Sequence, residues 1–227
     1  GSGALCDVAL GDLTCKRAVV DAGGVGTIVS GMRVHAGETT VQENACGALQ
    51  NVALGDVACK RAVVGAGAVE ALVVTMGLCS AEDQLKVQEY GCGALCNLST
   101  GDPSCKQAVV NAQGVEAVVA AMCLNPEQRA VQQNGAAALR NIATGGGLCK
   151  HAVVQAEGVE AVVAAMETHR AEAVIHQNGC GGGCARPSHP SPRAPHRRPL
   201  ALSTRLRAGR NPHLSHPSHH QLASVSQ

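Results

Sequence analysis

The chain has 227 residues, a formal net charge of +1 and a hydrophobic share of 45%, with one tyrosine and no phenylalanine or tryptophan. A hydrophobic core must therefore be built from valine, leucine, alanine, methionine and cysteine. Each larger side chain contributes about 1.5–3 kcal/mol to stability when fully buried. Lys, Glu or Gly interrupts every valine stretch before it reaches the roughly twenty apolar residues of a membrane-spanning helix. We therefore expect no transmembrane segment.

A block of about 44 residues recurs along the chain and is the strongest signal in the sequence. The small residue at positions 3, 47, 93, 137 and 181 returns at offsets of 44, 46, 44 and 44 residues. Repeats of this length with helical spacing are typical of α-solenoids, whose units stack along one axis. Because solenoids present surfaces more often than they perform chemistry, the repeat favours a binding function.

Each unit contains three predicted helices. The longest, as in 41–53, has apolar residues at spacings of three and four. A Gly-Asp pair or Gly145-Gly146 ends it, since glycine adopts the left-handed conformation of a helix end and aspartate caps the next helix. A short Cys-Lys helix follows, and then a valine-rich segment such as 115–122. The valine runs could form buried strands, but their glycine stops and internal alanine and glutamate favour helices.

These helix lengths and turn positions resemble the armadillo repeat. The long third helix of that repeat matches 87–98, the short first helix matches 105–110, and the second matches 114–119. The HEAT repeat is the nearest alternative, but its units have two longer helices without this glycine stop. The resemblance covers residues 1 to about 180. It implies an all-α, right-handed solenoid of about three complete repeats with partial repeats at both ends, whose third helices line a concave groove for extended peptides.

The repeat divides the chain into copies and a tail. The boundaries are a partial copy at 1–40, copies at 41–86, 87–130 and 131–174, the start of another at 175–183, and a tail at 184–227. Beyond Cys184 lie seven of the nine prolines, six of the ten histidines and seven arginines without an acidic residue. Such a Pro/Arg/His/Ser-rich segment has no apolar periodicity, so we expect disorder.

Two origins of the tail remain open. A basic arm could bind RNA, membrane phosphate or an acidic partner. A frameshift, retained intron or alternative splice is favoured, because Cys180-Gly-Gly-Gly-Cys184 stands where an intact copy has Cys-Gly-Ala-Leu-Cys. We expect no specific nucleic-acid partner.

The predicted partner-binding residues form three rows on the long helices. In the armadillo family an asparagine near the end of each third helix faces the groove, where its amide can donate to a peptide carbonyl and accept from a peptide N–H. One turn earlier, karyopherin-alpha-like members carry a tryptophan. Small residues stand there in this chain, which argues against classical nuclear-localisation-signal binding and predicts an open groove floor. The rows are Asn51, Asn97 and Asn141; Gly47, Gly93 and Ala137; and, a further turn back, Asn44, Tyr90 and Asn134. The alternative is that the asparagines bond backbone groups within or between repeats.

The twelve cysteines are predicted to be reduced. Four of them share one repeat position and should lie about 10 Å apart, which is too far for a disulfide. No Cys-x-x-Cys pair occurs, so buried thiols acting as small hydrophobes are favoured. His176, Cys180 and Cys184 have helical spacing that could hold zinc, but three ligands in a glycine-rich segment are weak evidence. We predict no metal, no cofactor and no catalytic residue.

The sequence predicts a non-enzymatic scaffold or adaptor that binds a peptide or helical segment of another protein in its groove. Resemblance to vacuolar and catenin-like armadillo scaffolds implies work in the cytoplasm or nucleus. The alternative function is the substrate-recruiting portion of a larger ubiquitin ligase or other enzyme polypeptide. We also expect self-association through the ends of the array, which lack polar capping repeats.

Overall fold

The computed structural model describes residues 2–78 and 85–181, and the tail predicted at 184–227 lies outside them. Within these two ranges the chain forms thirteen α-helices and no strand. The valine-rich segments form helices at Ala68–Leu78, Gly114–Leu124 and Gly158–Thr168, so the prediction of helix over strand is confirmed. No single helix in the described part is both long and apolar enough to cross a membrane. There, only the helices Pro103–Asn111 and Gly114–Leu124, bent by 69°, reach that length and composition as a pair.

After α1 the helices follow in triplets of a short, a medium and a long helix. In the first three triplets these have nine residues, eleven residues, and fourteen or fifteen residues. The bounds are α1 Ser2–Ala9, α2 Leu13–Asp21, α3 Gly24–Val34, α4 Thr39–Ala53, α5 Val57–Gly65, α6 Ala68–Leu78, α7 Leu85–Leu98, α8 Pro103–Asn111, α9 Gly114–Leu124, α10 Arg129–Ala143, α11 Gly147–Gln155, α12 Gly158–Thr168 and α13 Ala173–Cys180.

Aspartates cap the first helix of three triplets, as predicted. The carboxylates of Asp12 and Asp56 each accept from the backbone N–H three residues later at 3.0 Å. Asp102 accepts from the N–H and hydroxyl of Ser104 at 2.7 and 2.6 Å. The fourth triplet begins at Gly146, which has no side chain to accept these bonds. The first turn of α11 is therefore the one of the four without a carboxylate cap.

The glycines before these caps have two different roles. Gly101 has φ +87°, the left-handed conformation that the sequence predicted. At Gly11 and Gly55 that prediction is wrong, because neither has a positive φ. A Cβ there would lie 2.7 and 2.8 Å from the side chain of the cysteine four residues later. These two glycines are required by close packing against that cysteine.

The turn between the first and second helices always contains a residue in the left-handed conformation. Gly23 and Gly67 occupy it with φ values of 72° and 71°, and Gln113 and Glu157 with 61° and 60°. A side chain is strained in this region by about 1–2 kcal/mol, whereas glycine is not. The third and fourth triplets therefore carry backbone strain that the first two avoid.

Equivalent helices of successive triplets pack side by side. The long helices α4, α7 and α10, with the eight-residue α1 and α13 in equivalent positions, form one layer, which we call the long-helix layer. The helices α3, α6, α9 and α12 form a second. Aliphatic side chains fill the space between them. The largest fully buried ones are Leu49, Leu72, Leu95, Leu98, Met122, Leu139, Ile142 and Ile175.

Ion pairs join neighbouring triplets at the first helices. Arg17 reaches the cap Asp56, with its Nε 3.0 Å from Oδ2, and Arg61 reaches Asp102 at 2.8 Å. The backbone N–H of Cys59 and then Arg17 hold the pKa of Asp56 at about 2. The carboxylate that caps one triplet thus also binds the preceding triplet.

Candidate functional site

The nine predicted groove residues all lie on α4, α7 and α10. Each helix contributes three of them at positions i, i+3 and i+7, which share one helical face. Adjacent helices bring the rows together: the Tyr90 ring lies 3.5 Å from the position of a Cβ on Gly47, and Asn134 Nδ2 lies 3.3 Å from that of Gly93. The nine residues therefore form one continuous patch on the long-helix layer.

The asparagines near the helix ends bond the preceding long helix. The Nδ2 of Asn97 donates to the backbone oxygen of Gln50 at 3.0 Å. Asn141 Nδ2 donates to the backbone oxygen of Cys96 at 3.3 Å, and Asn51 Nδ2 to that of Cys6 at 3.4 Å. The amide nitrogens of these side chains therefore bond backbone groups between repeats, which is the alternative that the sequence left open.

The side-chain carbonyl oxygens of these asparagines do not take part in the bonds between helices. An amide oxygen offers two acceptor sites. In the described part of the chain no group donates to the Oδ1 of Asn51, Asn97 or Asn141, and each side chain is partly exposed. The inter-repeat bond holds each amide in place while leaving one acceptor per repeat open to a ligand N–H.

A second row of amides, seven residues earlier on the same helical face, repeats this arrangement. Asn134 Nδ2 donates to the backbone oxygen of Glu89 at 3.1 Å. Asn178, on α13, donates to that of Gln133 at 3.3 Å. Tyr90 takes the asparagine position on α7, and the Nζ of Lys86 lies 5.4 Å from its ring centroid. Tyr90 thus supplies the one aromatic surface on the patch, with a cation held over it.

The expectation of an open groove floor is wrong at the two glycines. Both are buried. A Cβ on Gly93 would lie 2.5 Å from the amide nitrogen of Gln50, and one on Gly47 would lie 3.3 Å from Cys6 Sγ. Side chains of neighbouring long helices cover these positions, so the glycines permit close packing. Ala137 remains half-buried.

Sequence reasoning missed a third recurring residue. Gln42, Gln88 and Gln132 are each about 3% exposed or less. Each donates through Nε2 to the backbone oxygen of the last buried methionine of the preceding helix, at 2.9, 2.8 and 2.7 Å. Terminal helix carbonyls have no donor within their own helix. These glutamines, which lie on the long helices, therefore cap the C-terminal ends of the preceding second helices. Their recurrence after a valine was visible in the sequence.

The charge on the patch changes along the array. Asp7 and Glu43 lie toward its beginning, Lys86 and Glu89 pair at 2.7 Å in the middle, and Arg140 follows. Burial raises the pKa of the Cys96 thiol, while the positive charge of Arg140 lowers it. The patch and the residues beside it therefore offer hydrogen-bond acceptors, one aromatic ring and charges of both signs.

Metal binding has no further support in the described residues. No group of three or more His, Cys, Asp or Glu side chains there could hold an ion. Cys184, the third ligand of the zinc alternative, lies outside them.

Comparison with known proteins identifies the family. The family model for the armadillo/beta-catenin-like repeat matches residues 14–54, which span the first helix triplet. The crystal structure of an engineered protein is similar at 33% identity and a TM-score of 0.68, with 78% of this chain and 68% of that chain covered. A designed armadillo repeat protein superposes with a TM-score of 0.69 over 78% of this chain and 71% of that one, at 21% identity. The chain belongs to the armadillo-repeat family.

A further armadillo structure shows the same fold. A second designed armadillo repeat protein, in complex with the peptide (KR)4, has a TM-score of 0.67 and 20% identity, with 77% of this chain and 69% of that chain covered. No curated protein matches the chain. The nine-residue patch lies on α4, α7 and α10 of the long-helix layer.

Proposed function

We propose that the chain is a non-enzymatic scaffold that holds an extended segment of another protein along its concave face. The observation that carries this proposal is the row of asparagines on three successive long helices, each fixed through Nδ2 with its Oδ1 open. Two similar structures support it: one designed armadillo protein is in complex with a peptide, and another was designed for modular peptide recognition.

The spacing of the row suits an extended backbone. Packed helices lie about 8–10 Å apart, a distance that two to three residues of an extended chain cover at about 3.3 Å each. Successive asparagines can therefore accept from N–H groups of one strand-like peptide. The ubiquitin-ligase alternative receives no support from the family model or from the similar structures.

A peptide selection tests the proposal. A peptide chosen from a random library on the immobilised chain should lose affinity when Asn51, Asn97 and Asn141 are all replaced by alanine. Each lost hydrogen bond contributes about 0.5–1.5 kcal/mol, so the triple variant should bind about tenfold or more weakly. Asn111→Ala, on the exposed surface of α8, is the matched control and should bind normally. Unchanged affinity of the triple variant with intact helix content would contradict the proposal.

We place this function in the cytoplasm or nucleus. The ten cysteines of the described residues are free thiols, as a reducing compartment would keep them. A fluorescent fusion of the chain should be found in one of these compartments, and its secretion would refute the placement.

Self-association is a further expectation. Val8 and Leu10 are 48% and 66% exposed at the first helix, and Val159 and Val163 are 51% and 49% exposed on α12. Sedimentation velocity should show a species that grows with concentration, and a monomer at all concentrations would disprove this.

A further inference from the structure

Two buried lysines reach the ends of the long helices without meeting a carboxylate. Lys60 is 9% exposed and Lys106 is 7% exposed. The Nζ of Lys60 donates to the backbone oxygen of Thr100 at 2.8 Å, and that of Lys106 donates to the hydroxyl of Thr144 at 2.7 Å. Among the residues that the structure describes, neither ammonium forms an ion pair. Both side chains are buried, and in the described part of the chain each ammonium bonds only a neutral oxygen.

A chain of hydrogen bonds joins the two lysines across α7 and α10. Asn141 Nδ2 donates to Thr100 Oγ1 at 3.1 Å, and Thr144 Oγ1 donates to the backbone oxygen of Asn141 at 2.6 Å. Thr100 and Thr144 are exposed, so the network opens on the surface beside one of the groove asparagines. All its internal acceptors are neutral oxygens, which solvate the ammonium groups without balancing their charge.

Arg140 adds a third cation at the same place. It precedes Asn141, is half-buried, and forms no ion pair among the described residues. Burial raises the pKa of the Cys96 thiol overall, and the charges of Arg140 and Lys60 each lower it. The described residues hold 11 Lys and Arg against 15 Asp and Glu, a net charge of −4. The three cations therefore stand out against an acidic body.

The neighbouring helix start lacks the carboxylate that its equivalents have. The turns before α2, α5 and α8 each supply an aspartate, whereas the turn before α11 is Gly145-Gly146-Gly147. Lys106 runs past this turn, with its Cδ 3.2 Å from the position of a Cβ on Gly145. The place that a carboxylate fills in three turns thus lies open and exposed beside the Lys106 side chain.

We infer that Lys60, Lys106 and Arg140, together called the cationic cluster, bind an oxyanion carried by the peptide in the groove. The carboxylate of an Asp or Glu side chain is the source, because a carboxylate fills the equivalent place in three other turns. It accepts hydrogen bonds from Lys106 and from the first N–H groups of α11, while Arg140 binds a second acidic side chain further along the peptide. This inference rests on the proposed function and adds the charge of the partner.

Synthetic peptides that differ only in charge test the inference. The probes are a fluorescent peptide of alternating Glu and Ala that spans two repeats, its Gln–Ala and phosphoserine–Ala counterparts, and the (KR)4 peptide of the similar complex. The Glu–Ala peptide should bind at least about tenfold more tightly than the Gln–Ala peptide, since one charge-assisted hydrogen bond is sufficient for that factor. Its affinity should fall as salt is raised.

Two variants and a control locate the anion. Lys106→Met keeps the length of the side chain. Arg140→Gln alters a half-buried residue that forms no ion pair among the described residues, so the fold should tolerate it. Each should weaken binding of the Glu–Ala peptide about tenfold and leave the Gln–Ala peptide unchanged. Lys16→Met, at the equivalent position of the first triplet, should change neither. Circular dichroism of each variant verifies that its helices are formed, and Arg140→Gln decides the question if Lys106→Met does not fold.

The outcomes separate the two proposals. Tighter binding of the Gln–Ala peptide or of (KR)4 would overturn the cationic cluster while leaving a peptide-binding groove in place. If the phosphoserine peptide binds most tightly and depends on Arg140, the cluster is supported and its anion is a phosphate. If none of the four peptides nor a library-selected peptide binds, the proposed function fails, and this inference fails with it.

Discussion

Replacing Gln132 with alanine should destabilise the junction between α9 and α10 without touching the groove surface. Gln132 is 2% exposed, and its Nε2 donates to the backbone oxygens of Met122 at 2.7 Å and Asn125 at 2.8 Å. Residue 126 is a proline, so it cannot donate to the Met122 oxygen in the way a continuing helix would. The Asn125 oxygen keeps a second donor, the N–H of Gln128 at 3.1 Å.

These contacts set the size of the effect. A buried acceptor left without a donor costs about 1–3 kcal/mol, which applies to the Met122 oxygen, and a hydrogen bond with a remaining alternative contributes about 0.5–1.5 kcal/mol, which applies to Asn125. We therefore expect the free energy of unfolding to fall by about 2–4 kcal/mol. The neighbouring Gln133→Ala is the matched control: its side chain is half-buried and forms no hydrogen bond among the described residues.

Urea unfolding followed by circular dichroism measures the difference, with the m-value showing whether the array still unfolds as one unit. Hydrogen exchange should show faster opening of the last turn of α9 in Gln132→Ala only. A free energy of unfolding within about 0.5 kcal/mol of that of Gln133→Ala would refute the role assigned to the recurring glutamines.

Three further predictions concern single sites. Gln113→Gly should raise the free energy of unfolding by about 0.5–1 kcal/mol, because it relieves a side chain at φ 61°, and Gly67→Gln should lower it by introducing the same strain; urea titrations of both variants decide. Thr75→Ala should destabilise the fold by about 1–3 kcal/mol, because the buried Oε1 of Gln42 loses the hydroxyl 3.0 Å away, and an unchanged midpoint would disprove this. The hydroxyl and N–H of Ser104, and then Arg61, hold the pKa of Asp102 at about 2. A lowered pKa stabilises the fold above the unfolded value of about 4 and ceases to do so as pH falls toward 2, so an acid titration should show stability lost in that window, less steeply in Asp102→Asn.

The architecture could be predicted from the sequence because the pattern typical of each helix recurs in several repeats. Offsets of 44 to 46 residues located the long helices, and Gly-Asp pairs located the caps, of which Asp12 and Asp56 bond as expected. Recurrence tells which positions are equivalent. It does not tell which atoms meet between neighbouring units, since that depends on the packing of three helices at once.

The candidate site shows this limit. Nothing in the sequence distance between Gln50 and Gly93 indicates that the amide of one covers the other. The small residue was therefore interpreted as an open floor, when it permits helix packing. The spacing of the asparagines places them on one face of each long helix, but the sequence leaves open whether their amides bond a ligand or a neighbouring helix. The structure assigns Nδ2 of Asn97 to the neighbour and leaves Oδ1 unassigned.

Hydrogen–deuterium exchange of the chain with and without a library-selected peptide tests the central claim most directly. Binding along the concave face predicts protection of α4, α7 and α10 in the segments around Asn51, Asn97 and Asn141, with the first and second helices of each triplet unchanged except for the first turn of α11. Protection confined to those first and second helices would show that the partner binds the opposite surface, and would contradict the account.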